Sequence, residues 1–287
     1  MAVKFFGQFL VEKGVISREA LLQAIQLQET VNLGFGDHAV AMGIMTESDV
    51  TRVNQAQRAE DLRFGDMAVK LGVLTGTQLQ DVLAKQKSSH LFIGEALVKV
   101  GGLSSSDLER YLSEFKVDQA KYATDSVTIP AGTPHPEVCT IIVDLTSKML
   151  TRIGRLTFRL ESGRLAAAPV ENDIAASMGF TGDVRAMYVL TVSRPVQKKI
   201  AMAILDEPDV EQESQGILDD TLMEFINVVC GNVAAKAAQL DTSLDITPPL
   251  LIEQPGSQQM DSRSVGVSFP ICFSDGERAE LFLSVLP

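Results

Sequence analysis

Residues 63–86 read RFGDMAVKLGVLTGTQLQDVLAKQ, and the pattern of this stretch occurs four times within residues 1–118. Six positions of the pattern recur every 29 residues: Gly7, Gly36, Gly65 and Gly94; Val11, Val40, Val69 and Val98; Gly14, Gly43, Gly72 and Gly101; Ser17, Thr46, Thr75 and Ser104; Leu21, Val50, Leu79 and Leu108; Gln28, Gln57 and Gln86, with Phe115 in the fourth copy. A fixed period of this length is typical of repeat architectures built from one supersecondary unit.

Each copy predicts a helical hairpin. The second glycine of a copy, such as Gly72, lies where the end of a helix needs a residue in the left-handed conformation. Thr75 can cap the next helix, and Gln78, three residues later, completes a capping box. A single hairpin cannot bury its apolar face, so we expect the four copies to stack, with both glycine columns serving turns.

The second half of the chain has a different pattern. Residues 119–135 predict a linker with a first strand at 126–129, because apolar periodicity is low and turn residues are frequent. Helical spacing follows over 136–153, 194–205 and 218–240, and strand-like runs cover 156–160, 174–193, 265–273 and 280–285. The sequence thus predicts a multidomain chain: all-α helical-hairpin repeats in 1–118, a linker and first strand in 119–135, and an α+β domain in 136–287. We expect 1–118 and 124–287 to fold separately.

The predicted helix over 218–240 carries polar residues on the side opposite its apolar face. On a helical wheel, Asp220, Glu224, Asn227 and Gly231 fall within about 60° of one another. A solvated face is the ordinary explanation of such a stripe, but Asn and Gly cost roughly 0.7 and 1 kcal/mol against Ala inside a helix. Gly231 also leaves room for another molecule to approach. These residues therefore form a candidate site.

Composition and charge exclude several classes of protein. The chain has 287 residues, 45% of them hydrophobic, and a net charge of −12. An acidic chain without Trp disfavours nucleic-acid binding. No apolar stretch is long enough to span a membrane, and charged residues at 12 and 13 argue against a signal peptide, which favours a cytoplasmic location. The three cysteines predict buried, reduced thiols, and the scattered histidines predict no metal site.

Residues 63–86 resemble the motif of the MshE-type N-terminal domain of type II secretion and type IV pilus assembly ATPases. That family pairs two such motifs in tandem, and in some members the pair binds cyclic di-GMP. The motif begins with Arg, a bulky residue and Gly, and it ends with Gln. The third copy has all four, as Arg63, Phe64, Gly65 and Gln86. The other copies carry Phe5, Gly34 and Phe92 at the Arg position. The resemblance leaves two roles open for the repeats: docking to motility, pilus or secretion components, or cyclic di-GMP binding.

The later part of the chain, about residues 124–287, resembles the CheC/CheX/FliY group of chemotaxis phosphatases. Their signature is Asp or Ser, three residues, Glu, two residues, Asn and a distant Pro. Here it is matched by Asp220, Glu224 and Asn227, followed by Gly231, Asn232 and Pro249. The helix over 136–153 has Asp144 and Ser147 where CheC proteins have a second Glu–Asn pair, which makes the arrangement CheX-like.

The resemblance implies hydrolysis of the aspartyl-phosphate of a CheY-like response regulator. Glu224 and Asn227 are then the catalytic pair, with Asp220, Gly231, Asn232 and Pro249 in support. The chain needs no cofactor of its own, since the Mg²⁺ is expected on the regulator. Two alternatives stay open: a non-catalytic adaptor and a cyclic di-GMP-responsive regulator. A homodimer is compatible with each of them.

Overall fold

The computed structural model describes residues 4–57, 60–119, 127–252 and 261–287. The chain divides into two compact units, Met1–Ala123 with Ser274–Gly276 and Thr124–Phe273 with Glu277–Pro287. The two units correspond to the two sequence patterns. That each of them folds by itself stays a prediction.

The described residues of the first unit form helices that follow one another in pairs. Each copy of the repeat contributes a seven-residue helix and a longer one, in the order α1 (Phe6–Glu12), α2 (Arg18–Val31), α3 (Phe35–Ala41), α4 (Glu47–Gln57), α5 (Phe64–Lys70), α6 (Gly76–Ser89), α7 (Ile93–Lys99) and α8 (Ser105–Gln119). The capping box of the third copy is confirmed, because Thr75 Oγ1 accepts from Gln78 N at 3.3 Å and Gln78 Oε1 accepts from Thr75 N at 2.9 Å. Thr46 and Asp49 form the same reciprocal pair in the second copy.

The two sets of recurring glycines are required for different physical reasons. The second column makes turns, as predicted, with φ of +69° at Gly14, Gly43 and Gly72 and +74° at Gly101. The first column does not. A Cβ added at Gly65 would lie 2.3 Å from Leu79 Cδ1, and at Gly7 it would lie 2.2 Å from Leu21 Cδ1. These glycines let the second helix of a copy pack closely on the first, so the prediction that both columns serve turns was wrong for this one.

The four copies pair in a nested order that differs from a sequential stack. Copies 1 and 4 share one buried cluster, in which Phe9, Leu10 and Leu97 are at most 3% exposed. Copies 2 and 3 share another, which includes Val53 and Val82. Each hairpin therefore buries its apolar face against one partner. The expectation of burial by stacking is met, but the order of the copies was not foreseen.

The glutamine column holds the paired copies together. Gln57 Nε2 donates to Leu62 O at 2.6 Å, Gln86 Nε2 to Leu33 O at 3.5 Å, and Gln28 Nε2 to Leu91 O at 2.9 Å. Each of these acceptors directly precedes the first residue of the partner copy. The fourth copy has Phe115 instead, which packs at 5.5 Å ring-centroid distance on Phe6 and on Phe9. Each closing residue thus contacts the start of the partner copy.

The described residues of the second unit form an antiparallel sheet and three helices. Its elements are α9 (Pro136–Arg152), β1 (Phe158–Leu160), β2 (Arg164–Leu165), β3 (Ile174–Gly182), β4 (Ala186–Val192), α10 (Arg194–Leu205), α11 (Gln215–Ala238), β5 (Leu244–Ile246), β6 (Leu250–Ile252), β7 (Val265–Phe273) and β8 (Arg278–Val285). Among the described residues the strand order is β1-β7-β8-β4-β3-β5, with β2 also on β7 and β6 also on β3.

The helices cover one face of this sheet. Side chains of α9, α10 and α11 share a single core with alternate residues of the strands, such as Met178, Tyr188 and Phe269. The predicted α+β fold and the hairpin over 265–285 are confirmed. The predicted first strand over 126–129 is not observed, because residues 127–129 form no strand. Ser126 lies outside the described residues. The short strands β2 and β5 were not predicted, because runs of two or three residues carry no periodicity.

We predict that Gln57→Leu lowers the free energy of unfolding by about 1–2 kcal/mol, because the Leu62 carbonyl oxygen then loses its donor. Urea titration of the full chain, followed by helical circular dichroism, measures the change. Gln55→Leu is the matched control on the exposed side of α4 and should change stability by no more than about 0.5 kcal/mol. Equal destabilisation by both variants would contradict the role of Gln57.

Candidate functional site

Helix α11 is the central element of the second unit. It begins after Ser214, whose Oγ accepts from Ile217 N at 3.4 Å, and it runs for 24 residues. Five apolar residues predicted for one side are all fully buried: Leu222, Phe225, Ile226, Val229 and Val233. Burial of this side against the sheet and α9 fixes which residues of α11 point outward.

The structure brings four of the predicted site residues together on the outward side of α11. Asp220 and Glu224 are exposed, and Asn227 and Gly231 are half-buried. Asn227 Nδ2 lies 3.5 Å from Glu224 Oε2, which is a long contact for a hydrogen bond. When the amide nitrogen faces the carboxylate in this way, the amide oxygen Oδ1 is left to accept from another group. The pair therefore offers an anionic group and a neutral acceptor one turn apart.

Gly231 has no packing reason within the described part of the chain. A Cβ built at Gly231 would meet nothing within 4 Å, whereas one built at Gly65 would meet Leu79. Its backbone is helical and needs no positive φ. The open space beside Asn227 is thus free to receive a group from another molecule.

Asn232 lies on the packed side of α11. It is 8% exposed, and its Nδ2 donates to Val228 O at 2.8 Å, one turn earlier in the same helix. This contact satisfies a buried amide within the helix. The structure does not bring Asn232 to the outward stripe.

Pro249 lies at the edge of the sheet, between β5 and β6. Both strands pair with β3, and α11 packs against all three. Pro249 is half-buried and Pro248 is exposed. The distant proline of the predicted signature therefore borders the helix that carries the other site residues.

The residues of α9 at the positions of a second Glu–Asn pair form contacts within their own helix. Asp144 Oδ2 lies 2.8 Å from Lys148 Nζ, and Ser147 Oγ donates to Val143 O at 2.9 Å. The Asp side chain is one methylene shorter than the Glu of a full motif, and the Ser hydroxyl reaches one bond less far than the amide of Asn. These contacts agree with one full motif on α11 and a degenerate one on α9.

A polar network between α10 and α11 was missed by the sequence analysis. Asp219 Oδ1 accepts from Gln197 Nε2 and from Gln215 Nε2, each at 2.7 Å. Gln197 is 1% exposed, so its amide depends on these partners. Because Asp219 directly precedes Asp220, the network fixes the rotation of α11 at the start of the stripe. Glutamines on a helix carry no sequence signal for such a contact.

The four residues of the third repeat copy have separate surroundings. The ring of Phe64 packs on Phe35 at 5.6 Å, Gly65 lies under Leu79, and Gln86 contacts the Leu33 carbonyl oxygen. Arg63 is exposed at the N-cap of α5. Three of the four residues thus take part in packing or pairing of the repeats.

Thiols and histidines do not contribute to the stripe. All three cysteines are buried and free, as predicted, and burial with the nearby Glu137 carboxylate raises the pKa of Cys139 to about 12. His38 contacts Ser89, His90 packs on Phe92, and His135 precedes α9. In the described residues no group of three or more His, Cys, Asp or Glu side chains could hold a metal ion. No helix in the described ranges is long and apolar enough to cross a bilayer.

In a comparison with known proteins, one family model matches part of the second unit. The sequence model of the family described as "Chemotaxis phosphatase CheX" matches residues 174–272, which contain α11 and the whole stripe. The match supports a CheX-like domain in the C-terminal part of the chain. No curated protein matches the sequence.

Solved structures of this group are similar to about half of this chain at low sequence identity. CheX of Desulfovibrio desulfuricans is 16% identical, with a TM-score of 0.45, 52% of this chain covered and 99% of that chain. The CheX–CheY–BeF3–Mg²⁺ complex of Borrelia burgdorferi is 18% identical, with a TM-score of 0.46, 52% of this chain covered and 98% of that chain. FliY of Thermotoga maritima is 16% identical, with a TM-score of 0.37, 52% of this chain covered and 86% of that chain.

We predict that Gly231→Ala raises the free energy of unfolding by about 1 kcal/mol, since the added Cβ meets nothing and Ala is the better helix former. Thermal unfolding of the full chain measures the change. The reverse substitution Ala235→Gly, at an exposed position one turn later in α11, should lower the free energy of unfolding by a similar amount. A destabilised Gly231→Ala would show that the space beside Gly231 is filled.

We predict weak or absent binding of cyclic di-GMP, because only the third copy supplies the Arg of the motif. One charge-assisted contact in place of two lowers affinity by about 10- to 150-fold relative to an intact tandem pair. Calorimetry on the full chain measures it, and any remaining signal should disappear in Arg63→Ala. Submicromolar binding that survives this substitution would contradict the assignment to the third copy.

Proposed function

We propose that the second unit accelerates hydrolysis of the aspartyl-phosphate of a CheY-like response regulator. The observation that carries the proposal is the outward pair Glu224 and Asn227 on α11, beside the open position Gly231 and inside the region matched by the CheX family model. An exposed carboxylate and a half-buried amide with free space next to them suit a substrate that is itself a protein surface.

Asn227 is suited to position the attacking water. An acyl phosphate is already activated, so catalysis needs an in-line water and stabilisation of charge more than a strong base. With its amide nitrogen towards Glu224, Asn227 presents Oδ1 as an acceptor for a water proton. The amide stays neutral and does not repel the phosphoryl oxygens, as a carboxylate in that place would.

Glu224 is suited to anchor the regulator. In the family that the sequence resembles, the partner has a lysine at its phosphorylation site, and an exposed carboxylate can form a charge-assisted bond with it. Asp220, one turn earlier, adds a second negative charge to the same side of α11. The Mg²⁺ of the reaction belongs to the regulator.

For the repeat unit we propose a docking or scaffold role. What supports it is the use of Phe64, Gly65 and Gln86 in packing and pairing of the copies. Components of a motility, pilus or secretion machine are the partners that the sequence resemblance suggests.

We predict that Asn227→Ala reduces regulator dephosphorylation to the regulator's own rate while leaving the fold intact. Phosphate release from a phosphorylated CheY-like regulator, with and without the full chain, measures the activity. Glu224→Ala should instead raise the dissociation constant for the regulator by about tenfold or more, because a charge-assisted contact is lost. The stabilised Gly231→Ala variant should also bind more weakly if the partner fills the open space.

Ser147→Ala is the matched control, because its hydroxyl donates to the Val143 carbonyl oxygen in its own helix. It should leave both rate and affinity unchanged. Normal activity of Asn227→Ala would remove Asn227 from the mechanism. Binding of the regulator without faster phosphate release would instead identify the wild-type chain as an adaptor.

A further inference from the structure

The edge of the sheet beside α11 contains a β-bulge made of two prolines. In the pairing with β3, Gly179 lies opposite Thr247, because Thr247 N donates to Gly179 O at 2.9 Å. Two residues earlier on β3, Ser177 lies opposite Leu250. Between these pairs β3 has one residue, Met178, while the edge strand has two, Pro248 and Pro249. Two residues opposite one define a bulge.

The bulge lacks the hydrogen bonds that normally hold an edge strand. Proline has no N–H group, so neither bulge residue can donate to β3. The Thr247 hydroxyl supplies replacement contacts: Oγ1 accepts from Gly179 N at 2.9 Å and lies 3.4 Å from Pro248 O, to which it can donate. Thr247 therefore links β3 directly to the first proline of the bulge.

Gly179 is fitted to this contact. A Cβ at Gly179 would lie 3.1 Å from Thr247 Oγ1 and 3.2 Å from its Cγ2, closer than side chains ordinarily pack. Its φ is not positive, so the backbone conformation gives no reason for glycine. The absence of a side chain at 179 is explained by the Thr247 side chain that lies over it.

The bulge lies opposite a residue of the core that α11 shares with the sheet. Met178, opposite the two prolines, is 2% exposed and belongs to the core that α11 shares with the sheet. Helix α11 packs on β3, β5 and β6, the three strands that the bulge joins. A shift of the bulge would therefore disturb the strands on which α11 packs.

We propose that Thr247 is a positioning residue for the proposed phosphatase reaction, on which this inference rests. By holding Gly179 and Pro248, its hydroxyl keeps Pro249 in a fixed place beside α11. Pro249 then limits the orientations in which a docked regulator presents its phosphoryl group to Asn227. Thr247 itself touches no substrate, so it acts through Pro249.

The test uses three variants of the full chain with a phosphorylated CheY-like regulator. Thr247→Val keeps the shape and loses the hydroxyl, Thr247→Ser keeps the hydroxyl, and Pro249→Ala removes the ring. At saturating regulator, Thr247→Val should lower the rate of phosphate release by about tenfold, and Thr247→Ser by less than about threefold. The dissociation constant should change little. Amide hydrogen exchange at Gly179 should be faster in Thr247→Val and unchanged in Thr247→Ser.

A double-mutant cycle shows whether Thr247 acts through Pro249. If it does, Thr247→Val combined with Pro249→Ala is no slower than Pro249→Ala alone. If the rate losses of the two single variants multiply in the double variant, the proposal is overturned. It is also overturned if Thr247→Val keeps the wild-type rate although its Gly179 amide exchanges faster. An inactive wild-type chain would instead overturn the proposed phosphatase function. An active wild type with an insensitive Thr247 would overturn the positioning role alone.

Discussion

The burial of one side of α11 is the interaction on which the second unit depends. Leu222, Phe225, Ile226, Val229 and Val233 have no exposed surface, and they pack in the core shared with the sheet, α9 and α10. Since burial of a large apolar side chain contributes about 1.5–3 kcal/mol, this side cannot rotate outward. The opposite side, with Glu224 and Asn227, must then face solvent. The same packing that stabilises the unit thus presents the candidate site.

Two further sets of contacts hold the elements around α11. Asp219 is held by Gln197 and Gln215 at the start of the helix, where side-chain bonds fix its rotation. Near the outer edge of the sheet, Thr247 and Gly179 hold the strand that borders the helix. A site of this kind needs precise geometry because an in-line reaction tolerates little displacement of the water. In the proposed reaction, residues outside the motif would thus hold the elements that carry it.

The repeat unit is organised by a different constraint. Each hairpin is too small to bury its own apolar face, so every copy needs a partner. The copies pair 1 with 4 and 2 with 3, and the closing Gln or Phe of each copy contacts the start of its partner. Residues that resemble a nucleotide-binding motif are used for this pairing. The resemblance in sequence and the use in structure therefore differ.

The sequence alone determined the features that depend on local periodicity and backbone conformation. It predicted the helical hairpins, the left-handed glycines, the capping box at Thr75, and the apolar and polar sides of α11, since each follows from residues a few positions apart. The tertiary structure decided what depends on distant residues. It set the nested pairing of the copies, the reason for Gly65, the contact of Gln197 with Asp219, and the bulge at Pro248 and Pro249. These features arise where two separate segments meet, and a linear pattern carries no signal for which segment will be the neighbour.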